Sequence, residues 1–173
     1  MLDIKNEFRA WLDLQLVAFP QDGLIRSNSR SNLKRALDLG VEVVGGIPHF
    51  ERTMDEGKES IKYLCELAAA KGLQVDMHCD ESDDPMSRHI EELTKETMRL
   101  GLEGKVAGSH LTSMHSMDNY YVSKLLPLMY EAEISVIANP LINITLQGRH
   151  DTYPKRRGLT RISEQMTAGL TVA

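Results

Sequence analysis

Imidazoles, carboxylates and side-chain amides recur at regular points along this 173-residue sequence, each time just after a short apolar run. The stretches are FPQDG, IPHFE, HCDE, SHLTSMHS and ANPLIN. They present Gln21, His49, His78 with Asp80 and Glu81, His110 with His115, and Asn139. Imidazole and carboxylate are the donors of divalent-metal sites and the side chains of proton transfer. Two imidazoles on neighbouring strand ends can share a metal or the water beside it, and a nearby carboxylate can relay the proton. His78, with Asp80 and Glu81 behind it, is the sharpest position, and His110 is its natural companion.

Such residues need a scaffold that brings them to one face. The apolar runs are Leu14 to Phe19, Val41 to Ile47, Gln74 to His78, Val106 to His110 and Ile134 to Ala138, with starts 27, 33, 32 and 28 residues apart. Between them lie helical segments. Ile61, Leu64, Cys65 and Ala68 follow the i, i+3, i+4, i+7 spacing, and Ile90, Leu93, Met98 and Leu100 follow Asp84 and Pro85, which suit a helix start. Asn32 to Leu39, Tyr120 to Glu131 and Arg161 to Gly169 read as further helices, and Leu170 to Ala173 open a sixth strand. Strand and helix alternating about every 30 residues, without a hairpin turn, specify an α/β fold of parallel βα repeats. In such folds the C-terminal strand ends form one face, which in barrels is the active site.

Strand alternation sorts the third run. Asp76, His78 and Asp80 share one face, while Val75, Met77 and Cys79 share the other and suit packing against helices. Asp83 and Asp84 fit a helix N-terminus better than a metal cluster, because the helix dipole favours anions there. His89 falls inside a helix and reads as solvated; Cys65 and Cys79 read as small apolar core residues.

The formal net charge is -5 with 42% hydrophobic residues, which is globular composition without a basic nucleic-acid surface. Two cysteines exclude a disulfide scaffold. The Lys155, Arg156, Arg157 cluster lacks aromatic interleaving and reads as a solvated loop. Asn143-Ile144-Thr145 is a glycosylation sequon only for an exported chain. No apolar run is long enough to span a bilayer, and the charged start MLDIKNEFRA does not resemble a signal peptide. The expectation is a soluble cytoplasmic protein with no nucleic-acid or membrane partner.

In this order and spacing, VAFPQDG, VVGGIPHFE, VDMHCDE, SHLTSMHS, ANPLINITLQGR and HDTYPKRRGLTRI resemble the bacterial cytosine deaminases of the amidohydrolase superfamily. The resemblance implies a (β/α)8-barrel enzyme with one divalent metal ion, Fe2+ or Zn2+, converting cytosine to uracil and ammonia. It implies that His78 is a metal ligand ending the fifth barrel strand. Glu81 would be the proton shuttle, and His110 would hold the attacking hydroxide. Gln21, with Phe19, would bind the pyrimidine. By the same likeness, residues 1–173 form a single partial barrel domain, about strands three to seven plus the start of eight. The family's metal shell also uses an HxH pair and an eighth-strand aspartate, and this sequence contains no HxH. The chain alone is therefore expected to be inactive, and its parent enzyme to be a homo-oligomer acting on a small-molecule substrate. The alternatives are an amidohydrolase for isocytosine, creatinine or triazine-type rings, and a non-catalytic fragment that associates with partners.

Overall fold

The computed structural model describes residues 1–27, 29–156 and 158–173. Five strands form one parallel sheet in sequential order: β1 (Val17–Ala18), β2 (Val43–Gly46), β3 (Gln74–Cys79), β4 (Val106–His110) and β5 (Ser135–Ile137). Every neighbouring pair is parallel, and Val172 adds a bridge to Val136 where the sixth strand was expected. Helices α1 (Leu2–Phe8), α2 (Arg30–Asp38), α3 (Met54–Lys71), α4 (His89–Leu100), α5 (Asn119–Glu131), α6 (Pro140–Leu146) and α7 (Ile162–Thr167) alternate with the strands. This is an arc of βα units. Among the described residues the sheet does not close, and α1 buries no side chain against it.

The longest helix shows how the sequence builds the layer outside the sheet. Thr53 caps α3 by accepting from the Glu56 N–H at 3.1 Å, and Gly72 ends it at φ 67°. Ile61, Leu64, Cys65 and Ala68 are fully buried, as their spacing predicts. A leucine or isoleucine buried this completely contributes roughly 1.5–3 kcal/mol. Burial pushes the Cys65 thiol up to about 12, so it packs as an inert apolar group.

Along β3, Val75, Met77 and Cys79 are buried while Asp76 and His78 are only partly so, which is the expected alternation. The outer set packs on the helices, and the inner set faces the concave side. Ser109 on β4 donates to Asp76 on that side at 3.0 Å. Gly45 on β2 lies between the two strands that matter most. A side chain there would meet Phe19 and Val17, so its absence lets the Phe19 ring lean across β2.

Two expectations about α4 are corrected. Asp84 and Pro85 do not start the helix: Asp84 accepts from the Met86 N–H at 2.8 Å in a tight turn, and α4 begins at His89. His89 is not solvated. It is 2% exposed, and its ring lies so close to Gly57 of α3 that no side chain fits at that position.

Candidate active site

His78, Glu81 and His110 meet at the C-terminal end of β3 and β4. One ligand atom from each lies within 4.8 Å of the others. Nε2 of His110 is 3.3 Å from Nδ1 of His78, and Nδ1 of His110 is 3.1 Å from Oε1 of Glu81. The ring of Phe19 packs on His78 at 4.6 Å between centroids. Two imidazoles and a carboxylate are a donor set that fits a divalent cation such as Zn2+ or Fe2+. Burial, followed by the neighbouring His110, holds the His78 imidazole below its ordinary value, which favours its neutral form.

Backbone conformation, not strand alternation, completes this group. In the β3–β4 register His78 lies opposite Ser109 and Cys79 opposite His110, which would send His110 to the helix side. His110 instead has φ 74° and Leu111 φ 50°, a left-handed turn that swings the imidazole to the concave face. Such conformations strain residues other than glycine and gather at functional sites.

Asp80 also has a positive φ, 53°, and this corrects its expected place beside His78. Its carboxylate turns away from the concave face and is fully buried. It accepts from Ser87 Oγ at 2.7 Å, His89 N at 3.0 Å, Ile90 N at 2.9 Å and His89 Nδ1 at 2.9 Å. Burial alone would raise its pKa, but these bonds hold it below the ordinary carboxylate range. Asp80 therefore caps α4 from nine residues upstream and leaves Glu81 to face the cleft.

The other residues singled out by the sequence lie outside this three-residue group. Gln21 sits in the turn after β1, exposed, and lines a cleft of about 200 Å³ with Phe19 and Asn32. That turn is pinned by Glu51, whose carboxylate accepts from the N–H groups of Leu24, Ile25 and Arg26 at 2.6, 3.0 and 2.9 Å. His49 has both ring nitrogens buried without a hydrogen-bond partner. Burial pushes it down to about 4, with Asp80 opposing and His89, His110 and His78 adding to the shift. His115 is exposed, and His150 is an exposed residue of the larger cleft. That cleft, about 680 Å³, is lined by Glu81, Phe50, Asp83, Gln147, Arg149 and Arg156 among others.

Two residues gain roles the sequence did not signal. Asn143, 2% exposed on α6, donates from Nδ2 to Glu81 Oε1 at 2.9 Å and meets the His110 ring. Sequence reading noticed it only as a sequon, and its burial excludes it as an acceptor. Its position one helical turn after Asn139, in a helix opened by Pro140, was the available signal. Arg156 is no solvated loop residue: it pairs with Asp151, donates to the Asp83 carbonyl and lines the larger cleft. Lys155 is exposed, and Arg157 lies outside the described residues.

Comparison with known proteins agrees with this fold. The model of the Amidohydrolase family matches residues 3–173. A 5-methylcytosine deaminase from Klebsiella pneumoniae, solved with 5-fluorocytosine, is 46% identical with a TM-score of 0.96 over 99% of this chain and 42% of that one. The pterin deaminase of Rhizobium rhizogenes is 31% identical over 99% of this chain and 40% of its own length. The N-isopropylammelide isopropyl amidohydrolase of Pseudomonas sp. (strain ADP) is 26% identical over 79% of this chain and 34% of its own length. The chain thus spans well under half the length of these relatives. No helix among the described residues is long and apolar enough to cross a membrane. The parallel βα arc accords with that match, and the chain belongs to the amidohydrolase family.

Proposed function

We propose that this chain forms the central part of a metal-dependent deaminase that removes the exocyclic amino group of cytosine or a close pyrimidine analogue, giving uracil and ammonia. The observation that carries the reading is the His78, Glu81, His110 group with the Phe19 ring against it. The 46% identity to a 5-methylcytosine deaminase supports a pyrimidine. Pterin deaminase and the ammelide amidohydrolase, being more distant, support the broader class of amino-heterocycles.

His78 would hold the cation, with Glu81 and His110 beside it. A divalent cation at that point supplies a Lewis acid and makes water nucleophilic near neutral pH. Glu81 takes a proton from the attacking water at its carboxylate and passes it to the ring nitrogen next to the attacked carbon. The added hydroxyl then gives up its remaining proton through Glu81 to the amino group, the C=O bond forms as the C–N bond breaks, and ammonia leaves. His110 orients the nucleophile from Nε2. Phe19 packs against the pyrimidine and excludes water, and Gln21 reads its amide edge.

His78, Glu81 and His110 are a small shell for a catalytic metal, so the 173-residue chain alone is expected to show neither tight metal binding nor turnover. The test is a chimera in which these residues replace the aligned segment of the Klebsiella enzyme. Ammonia release is assayed with cytosine, 5-methylcytosine, isocytosine, creatinine and an aminotriazine. Turnover highest with the two cytosines supports the reading. A folded, metal-loaded chimera that releases ammonia from none of them contradicts it.

A further inference from the structure

The loop that follows α6 closes on itself and is held from outside by one residue. Gly148 has φ 70°, and a side chain there would press on the Arg156 carbonyl oxygen at 2.7 Å, while a side chain on Gly158 would strike Gln147. The ends of the loop therefore touch, as in the compact surface loops that often carry function. Within it, Arg156 donates to the Asp151 carboxylate from Nε at 2.8 Å and from its backbone N–H at 3.0 Å.

Asp83 grips this loop near both ends. Its Oδ2 accepts from the buried Gly148 N–H at 2.7 Å, and the Gln147 amide, turned so that its nitrogen faces the carboxylate, donates to both oxygens at 3.2 Å. The Asp83 carbonyl accepts from Nη1 of Arg156, which also reaches Ser116 Oγ, beyond β4, at 3.5 Å. A buried N–H stripped of its acceptor is costly, so these bonds fix where the loop sits. Asp83 does not start α4, which begins at His89. It lies two residues after Glu81, and both line the larger cleft together with Gln147, Arg149 and Arg156 of the loop.

We propose that Asp83 is a positioning residue: it anchors the loop after α6 to the turn that carries Glu81, and so sets one wall of the cleft in which the substrate meets Glu81. The substrate role rests on the deaminase reading above, whereas the anchor can be read without turnover. Glu81 has a separate hold on its own place. Asn143 donates to its Oε1 at 2.9 Å, and Asp80, the residue before it, is fixed to the start of α4. Losing the anchor therefore weakens substrate binding more than proton transfer.

The experiment has two arms. The first is amide hydrogen exchange of the 173-residue chain, followed by mass spectrometry. Asp83→Ala is expected to speed exchange in residues 147–156 while α3 and α4 keep their protection. Asp83→Asn is expected not to, because an amide oxygen still accepts the Gly148 N–H and Gln147 can turn its own oxygen to the new N–H. The second arm is kinetics in the chimera. Asp83→Ala is expected to raise KM for cytosine about tenfold with kcat held within about threefold, and Asp83→Asn to keep both within about threefold. Gly148→Ala loosens the loop from its own side and is expected to match Asp83→Ala in both arms; it decides the matter if Asp83→Ala does not fold. Unchanged exchange in the alanine variant, an asparagine variant as impaired as the alanine one, or a loss confined to kcat overturns the proposal. A folded, unsubstituted chimera without turnover counts instead against the deaminase reading and the substrate role with it, and exchange alone then decides the anchor.

Discussion

Asp80 is fully buried and accepts hydrogen bonds from Ser87 and from the first two residues of α4, while Glu81, one residue on, faces a cleft with an amide and an imidazole for company. The two side chains differ by one methylene. Their environments set them apart: Asp80 holds the turn in place, and Glu81 lies at the cleft, where the proposed function needs a proton shuttle. A left-handed backbone at Asp80 makes the division, because it sends one carboxylate to the helix layer and the next to the concave face. Carboxylates are therefore assigned here by what surrounds them, not by their place in an acidic run.

The comparison breaks most readily at its buried half. Asp80→Ala leaves the His89 imidazole and two helix N–H groups without their acceptor, and stability is expected to fall by about 3–5 kcal/mol. Urea unfolding of the chain checks this, and a loss below 1 kcal/mol would show that Asp80 is not the anchor.

Acid should sharpen the same contrast through His49. Its imidazole binds a proton below about 6.5 when unfolded but only below about 4 when folded. The unfolded state therefore gains protons first as pH falls, and stability is lost between those values, on the order of 3 kcal/mol in all. His49→Phe should flatten this limb of the urea-midpoint profile. Asp80 acts lower: its stabilisation is present above the ordinary carboxylate value and is lost as pH drops through its depressed one. The smallest effect belongs to Gln21, which is exposed in its turn. In the active chimera, Gln21→Ala is expected to raise KM for cytosine about threefold to tenfold with little change in kcat.

Much of this molecule was legible in its sequence. The strand interval gave the parallel α/β arc, the i, i+3, i+4, i+7 spacing located the buried face of α3, and alternation along Gln74–Cys79 sorted His78 from its apolar neighbours. Reading failed where the backbone leaves regular geometry. Nothing local announces the positive φ of Asp80, His110 and Leu111, so the carboxylate expected beside His78 left the site and His110 arrived by a turn that alternation forbids. His89 looked solvated because its partner lies nine residues away, and Asn143 went unread because its partners, Glu81 and His110, come from distant strands. Contacts between sequentially remote polar groups are invisible to periodicity, and they are what the site consists of.

Measuring kcat for ammonia release from cytosine by the metal-loaded chimera, with and without Glu81→Gln, tests the central claim most directly. Glu81→Gln is predicted to lower kcat by at least about 100-fold, within the usual range for a general acid–base group, while the unfolding midpoint and metal content stay unchanged. A substituted enzyme retaining more than roughly a tenth of the rate would contradict the assignment of proton transfer to Glu81.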